Sequence, residues 1–287
     1  MCAAVLAQPQ PAPQPAGWVA RLGLRIERRG ERSVLARRAH VGPLRVQRAL
    51  YPEGHGVCHV VIVHPPGGVV GGDELRTDVD VSAEASALIT TPAATKLYRS
   101  AGAAARVATH LRVAGGGSLE YVPQESMAFE GCRVRAELAV ALDAGARFVG
   151  WEVGVLGRPA AGDRFAHGTF EQRIHVERSG RPVLIERAAH VGGDERLAAA
   201  WGLRGCAVVG TMIVVGATGL LDDARAALAG RAGEAASALT MIDDDVMVAR
   251  YLGDDARAAL AGFEAVRGVV RPTLLGRPAV APRIWAT

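Results

Sequence analysis

The chain has 287 residues and a formal charge of +4, with 22% charged and 49% apolar residues. This composition is that of a folded protein with a substantial core, and it excludes a largely disordered chain. The positive charge comes almost entirely from arginine, because Lys96 is the only lysine. Since the basic residues are scattered and aromatic residues are few, the pattern argues against nucleic-acid binding and favours an acidic protein partner.

The N-terminal segment, residues 1–17, is rich in Pro and Gln and lacks the basic start of a signal peptide. We predict a mobile tail there and a single domain over residues 18–287. No apolar run has the length of a membrane span, so no membrane association is expected. The cysteines are widely separated and form no CxxC pair, which indicates reduced thiols and a cytoplasmic protein; they are Cys2, Cys58, Cys132 and Cys206.

From Trp18 to Glu186 apolar and polar residues alternate, which predicts strands with one buried face. The clearest segments cover residues 75–81, 107–113, 134–140 and 170–176. Glycine-rich turns separate them at short, regular intervals. The pattern predicts a mainly β fold, built as stacked antiparallel sheets or as a β-solenoid-like coil, and leaves no room for βαβ crossovers.

The last third of the chain predicts the order β-α-β-β-α. A continuous apolar strand covers residues 206–215, and a helical period begins near Leu221, with two aspartates in the first turn where the helix dipole favours acid. Strands are predicted at residues 236–241 and 246–252. A second helix is predicted to open at Asp254 and Asp255 and to run through Ala265.

The segment Val57 to Asp73 reads VCHVVIVHPPGGVVGGD and predicts a strand that ends in a rigid, tightly shaped turn. The turn residues are Pro65, Pro66, Gly67, Gly68, Gly71 and Gly72. A phosphate-binding loop needs Lys and Ser or Thr after its last glycine, but here Asp73 follows Gly72 and would repel phosphate. Nucleotide binding is therefore not predicted.

Histidine and cysteine are concentrated just before this turn, at His55, Cys58, His59 and His64. These side chains are good ligands for nickel or zinc. In a strand, however, Cys58 and His59 point to opposite faces, so this spacing cannot close a metal site by itself. We predict no permanently bound cofactor, and at most transient contact with a metal.

The segment Thr90 to Ser100, TTPAATKLYRS, combines hydroxyl groups with Lys96, Tyr98 and Arg99. A Ser/Lys nucleophile pair has no supporting motif around it, so we interpret these three residues as a rim that binds a partner protein. Glu125 and Glu152 each lie beside the end of a predicted strand. An alternative hypothesis is a hydrolase or transferase that uses His64, Asp73 and Glu125 in acid/base chemistry.

Taken in order, several segments resemble the UreD family (also called UreH) of urease accessory proteins. They are GPLRVQRALYPEG (42–54), HPPGGVVGGDEL (64–75), TTPAATKLYRS (90–100), LEYVPQESMAF (119–129), GWEVGVLGRPAAGDRF (150–165) and PRIW (282–285). The resemblance covers the chain from about residue 18 to the C-terminus.

The resemblance implies a largely β scaffold without turnover that binds apo-urease and the accessory protein UreF, which recruits the GTPase UreG. It also implies an internal channel through which nickel passes toward urease. Asp73, Glu152 and Glu186 fall where the family often has an acid, and with His64 they are our candidates for a transient nickel path. A docking subunit without any metal contact is the remaining alternative.

Overall fold

The computed structural model describes residues 17–232 and 235–286, so the tail predicted for residues 1–17 lies almost wholly outside the described residues. The strands are β1 (Val19–Arg29), β2 (Arg32–Val41), β3 (Arg45–Val46), β4 (Cys58–Val63), β5 (Gly68–Val69), β6 (Glu74–Val81), β7 (Ser86–Thr90), β8 (Thr95–Leu97), β9 (Ala105–Val113), β10 (Ser118–Tyr121), β11 (Ser126–Ala128), β12 (Arg133–Leu142), β13 (Arg147–Leu156), β14 (Thr169–Arg178), β15 (Arg181–Val191), β16 (Val208–Val215), β17 (Ala236–Asp243) and β18 (Val246–Gly253). The α-helices are α1 (Leu221–Ala232) and α2 (Ala256–Leu275). Short 3-10 helices lie at Pro159–Ala161, Glu195–Leu197 and Arg283–Ala286.

The middle of the chain winds as a coil between two stacked sheets. Strands β6, β9 and β12 lie in the first sheet, and the strands that follow them, β7, β10 and β13, lie in the second. Within each sheet these neighbours pair in parallel. Successive corners also hydrogen-bond: the Ser118 amide donates to the Ala85 carbonyl at 2.9 Å, and the Arg147 amide to the Gly117 carbonyl at 3.0 Å.

This arrangement confirms the predicted mainly β class in its solenoid-like form. Antiparallel pairing occurs at the margins, where β1 pairs with β2 and β14 with β15 in the first sheet. In the second sheet β13, β16, β18 and β17 follow one another in antiparallel order. The predicted C-terminal order β-α-β-β-α is confirmed as β16, α1, β17, β18 and α2.

Two apolar cores follow from this layering. The first fills the space between the sheets, and its members come from alternate positions of the coil strands, including Leu22, Val79, Leu111, Val140, Phe148 and Phe170. The second lies between the outer face of the second sheet and the helices, and includes Trp151, Met212, Phe263, Val266 and Val270. The outer face of the first sheet is charged, as the alternation predicts, with exposed Arg76, Arg135 and Arg133.

Helix α2 is longer than predicted. We expected it to end at Ala265, but it runs to Leu275 because Val266, Val270 and Leu274 continue its buried stripe. Gly276 ends the helix in the left-handed conformation, with φ of +64°. Within residues 17–232 and 235–286, no helix is long and apolar enough to cross a membrane.

A buried ion network fixes α2 to the second sheet. The Glu120 carboxylate on β10 accepts hydrogen bonds from Arg267 Nε at 2.6 Å and from Arg271 Nε at 3.0 Å. Arg271 Nη2 also donates to Glu53 at 2.6 and 2.7 Å, and Glu53 contacts His59 at 2.6 Å. Burial opposes ionisation of Glu53, yet its hydrogen bonds with His59 and Arg271 lower its pKa to about 2.

The C-terminal segment lies over the same network. Arg271 donates to the Pro278 carbonyl, and Arg267 Nη2 donates to the Val280 carbonyl at 3.3 Å. The Trp285 indole donates to Thr90 Oγ1 at 2.9 Å and packs beside Trp151, with ring centroids 6.3 Å apart. The PRIW segment therefore packs on the outer face of the second sheet and is bound to it through Trp285.

We predict that Glu120→Ala destabilises the protein by about 3–5 kcal/mol, because it leaves two buried guanidinium groups without their shared carboxylate. Denaturant unfolding of the full chain measures this. The matched control is Glu137→Ala, on the charged face of the first sheet with its side chain 42% exposed, where the change should stay within about 0.5 kcal/mol. Equal effects of the two substitutions would contradict this account of the network.

Candidate functional site

Four of the six segments that carry the family resemblance meet in one short parallel ladder. Strand β5 of the HPPGG segment pairs with β8 of the TTPAATKLYRS segment. Strand β8 pairs with β11, and β11 pairs with the end of β13, so that Thr95, Ser126 and Gly154 lie side by side. These segments are successive turns of the coil, which explains why they are far apart in the sequence yet adjacent in the fold.

The diglycine turn packs tightly against this ladder. A Cβ atom on Gly68 would lie 2.1 Å from Cε2 of Tyr98, and one on Gly71 would lie 2.1 Å from Ser100 Oγ. Gly67 and Gly72 have φ of +78° and +91°. The close approach and the positive φ angles both require glycine here.

Asp73 closes the turn. Its two carboxylate oxygens accept hydrogen bonds from the backbone amides of Trp18 and Val70, at 2.8 and 2.9 Å, and the side chain is buried. A carboxylate that accepts such bonds in a turn acts on the backbone conformation. We therefore leave Asp73 out of the candidate path for a cation.

His64, unlike Asp73, borders a cavity. Burial lowers the pKa of its imidazole, and the charge of Asp73 opposes this shift. Its Nε2 atom has no hydrogen-bond partner among the described residues. The ring borders a cavity of about 270 Å³ between the sheets, together with Thr90, Lys96 and Tyr121.

The predicted partner-binding residues divide into two groups. Lys96 and Arg99 are exposed, and Lys96 stands at the rim of the His64 cavity. Tyr98 instead packs edge-to-face on Phe129, with ring centroids 5.2 Å apart. Tyr98 thus contributes to the ladder, while the two cations remain available to a partner.

The space between the two sheets contains a line of polar side chains, which we call the polar corridor: Thr77, Thr109, Tyr121, Glu152, Gln172, Glu186, Thr211 and Arg250. They occupy inward positions that alternation would assign to apolar residues. In the second sheet Glu152 pairs with Thr211, and Thr211 with Arg250. In the first sheet Thr77 pairs with Thr109, and Glu186 with Ile174.

Three cavities follow the polar corridor and share walls. The His64 cavity shares Thr109 and Tyr121 with a smaller one of about 80 Å³. The smaller cavity shares Glu152 and Gln172 with a third of about 420 Å³, which we call the carboxylate cavity. The smallest of the three cavities therefore lies between Tyr121 and Glu152.

Glu152 is half-buried and borders two of the cavities. Burial raises the pKa of its carboxyl group to about 7, while the interaction with the Tyr121 hydroxyl opposes that shift. Glycines flank it on the same face of β13: a Cβ on Gly150 would lie 2.3 Å from the Phe148 ring, and one on Gly154 would lie 2.9 Å from Phe170. Larger residues at these two positions would crowd the corridor beside the carboxyl group.

Glu186 faces the carboxylate cavity from the other sheet and is paired. Its carboxylate contacts the Arg250 guanidinium and accepts a hydrogen bond from Thr211 Oγ1 at 3.3 Å. Arg250 also donates to Thr211 at 2.7 Å. This group presents one negative and one positive charge to the cavity, with the arginine side chain 44% exposed.

Of the candidate residues from the sequence, the structure brings Glu152 and Glu186 to one cavity. His64 borders the other end of the series, and Asp73 is separate from it. Sequence reasoning missed Tyr121, Gln172 and Arg250. The signal for Gln172 was its position in the apolar phase of a strand, between Phe170 and Ile174.

The alternative acid/base site is not assembled in this geometry. Asp73 is fully engaged with backbone amides, and Glu125 is not among the residues that border the His64 cavity. The Glu125 carbonyl accepts a hydrogen bond from Thr95, which places this residue in the ladder. Within residues 17–232 and 235–286, no three His, Cys, Asp or Glu side chains converge in a group that could hold a metal ion.

Comparison with known proteins identifies the family. The model of the family described as UreD urease accessory protein matches residues 19–286. A protein named urease accessory protein UreD from Azoarcus sp. (strain BH72) is 45% identical, over 96% of each chain. Proteins of the same name from Dechloromonas aromatica and Pseudomonas aeruginosa are 42% and 41% identical, over 98% and 94% of this chain and 98% and 95% of theirs.

We predict that Glu152→Gln changes how stability depends on pH. The folded pKa of about 7 lies above the ordinary 4.5, so the folded state binds this proton more tightly and the native protein loses stability as pH rises from 4.5 to 7. The glutamine variant has no such loss, so its stability relative to the native chain should rise across this interval by on the order of 3 kcal/mol.

Denaturant unfolding at several pH values tests this, with Glu171→Gln on the outer face of β14 as the control for amide substitution itself. A Glu152 variant whose stability parallels that of the native chain from pH 4.5 to 7 would contradict a tightly held proton at this carboxyl group.

Proposed function

Because this chain belongs to the UreD family of urease accessory proteins, we propose that it is a urease maturation factor that binds apo-urease and guides nickel to it through the polar corridor. UreF is the proposed second partner, and the GTPase UreG the indirect one through UreF. On this proposal the protein acts in the cytoplasm and provides a surface and a route, without a reaction of its own.

The observation that supports a route is the pair of inward carboxyl groups, Glu152 and Glu186, on opposed sheets at one cavity. Burying polar groups between sheets costs free energy that apolar side chains in the same places would not. The coil nevertheless keeps a continuous series of polar groups there, with glycines beside Glu152. Such a cost at several neighbouring positions is typical of a functional site.

The chemistry of these groups suits a cation that must be released. Carboxyl and hydroxyl oxygens bind a divalent cation, and single ligands spaced along a path hold it less firmly than a cage of several. Burial keeps the Glu152 carboxyl group largely protonated below pH 7, so an arriving cation displaces a proton there. Protonation in turn favours release.

At Glu186 an arriving cation would replace an arginine, where at Glu152 it would replace a proton. The Arg250 guanidinium contacts the carboxylate and neutralises its charge. A cation that binds Glu186 must take the place of this ion pair, and the exposed arginine has room to move outward. When the cation leaves, the arginine returns, so that the carboxylate never remains unpaired at the cavity.

A bulky side chain placed in the corridor tests whether nickel passes through it or whether the protein only binds urease. Ala188 lines the carboxylate cavity, whereas Ala189 on the same strand is exposed on the opposite face. We predict that Ala188→Phe slows nickel loading of apo-urease by roughly tenfold, equivalent to a barrier about 1.4 kcal/mol higher, while Ala189→Phe loads normally. Metal analysis of urease purified from strains carrying each variant measures this.

Both variants must first be shown to co-purify with apo-urease, because a lost complex would mimic a blocked route. Normal loading by an assembled Ala188→Phe complex would leave docking as the function. In a strain that lacks the protein altogether, urease should be made without nickel; fully metallated urease in that strain would refute the maturation role.

A further inference from the structure

His190 is a further polar residue of the carboxylate cavity and is not part of the polar corridor. It lies near the end of β15, on the same face as Glu186 and Ala188. Only 8% of its surface is exposed, and it borders the cavity of about 420 Å³ that also contains Glu152 and Glu186.

The imidazole is buried without a partner. Its Nε2 atom has no hydrogen-bond partner among the described residues, although it is withdrawn from solvent. Buried polar atoms are satisfied in the large majority of cases, because an unpaired one costs about 1–3 kcal/mol. The ring lies beside that of Phe170, with ring centroids 6.2 Å apart.

Two other histidines have an unpartnered Nε2, and they differ in position. His175 lies on the outer face of β14, pairing with Ile185, whose side chain is exposed. His64 borders the first cavity of the series and is less buried. Only His190, among these three, combines burial above nine-tenths with the cavity that holds both carboxyl groups.

The state of the ring suits a metal ligand. Burial lowers the pKa of His190, and the charge of Arg196 lowers it further, so both effects favour the neutral ring. When the proton is on Nδ1, Nε2 carries the lone pair that can bind a metal. Imidazole nitrogen binds borderline cations such as Ni²⁺ and Zn²⁺, whereas Mg²⁺ and Ca²⁺ prefer oxygen.

We propose that His190 is a binding residue for borderline divalent transition metals and gives the carboxylate cavity its preference for them over Mg²⁺. Four residues along a strand separate it from Glu186 by roughly 13 Å, so the two side chains act as successive stations and do not close a cage. The carboxylates bind both Mg²⁺ and the borderline transition metals, whereas the imidazole favours the transition metals. This inference deepens the proposed nickel route and rests on it for the identity of the cargo.

The test measures binding to the full chain, without urease. Equilibrium dialysis against Ni²⁺ alone and Mg²⁺ alone compares the native protein with His190→Gln and with His175→Gln, a control in which an outward imidazole is lost from the neighbouring strand. We expect His190→Gln to weaken Ni²⁺ binding at one site by at least about tenfold, since even loss of an outer-shell partner has that effect at metal sites. Mg²⁺ binding should be unchanged, and His175→Gln should retain the Ni²⁺ site.

A second readout needs no substitution at His190 and serves if that variant does not fold. In the native chain labelled with ¹⁵N-histidine, Zn²⁺ should shift the Nε2 resonance of His190. Unchanged Ni²⁺ affinity in folded His190→Gln, or an Nε2 chemical shift that does not change at saturating Zn²⁺, would overturn the proposal. Because urease is absent, failure of the Ala188→Phe prediction would refute the route and leave a metal site at His190 standing.

Discussion

Side chains from both sheets fill the space between them. The rest of this structure depends on how that space is divided between apolar and polar side chains. Apolar side chains fill most of it, as close packing requires. Along one line the coil places hydroxyl, amide and carboxyl groups instead, and three cavities follow this line. Gly150 and Gly154 lie on either side of Glu152, and a side chain at these positions would collide with the Phe148 and Phe170 rings.

The outer layer keeps this inner space in shape. Strand β10 contributes Tyr121 to the corridor on one face and Glu120 to the ion network on the other. Arg267 and Arg271 tie the same strand to α2, and the C-terminal PRIW segment covers the join through Trp285 and Thr90. Removing one partner from such a network leaves a buried charge uncompensated, so the network holds the strand and the helix together. The corridor therefore has a rigid wall on the side of the second sheet.

Alternation in the sequence was enough to predict the strands of the coil, since one face of each is buried and the other charged. It did not choose between antiparallel sheets and a coil, because alternation describes a single strand and says nothing about its neighbours. The extent of α2 was misjudged, since the continuation of its buried stripe past Ala265 depends on contact with the second sheet. Family resemblance supplied Glu152 and Glu186, and only the fold places them at one cavity.

The role of Asp73 in the turn and the place of His190 at the cavity have one feature in common, because neither follows from the local sequence. An aspartate beside glycines can bind a cation or close a turn, and only its distances to the Trp18 and Val70 amides decide. His190 was readable as an inward residue once Glu186 was placed, because residues two apart on a strand share a face. Its burial and its missing partner are tertiary facts that no local pattern contains.

Anomalous diffraction at the nickel absorption edge, on crystals of the full chain soaked in Ni²⁺, tests the central claim most directly. The account predicts anomalous density between the two sheets, beside Glu152 and Glu186. Nickel density confined to the outer surface of the sheets, with the space between them unoccupied at saturating metal, would contradict it.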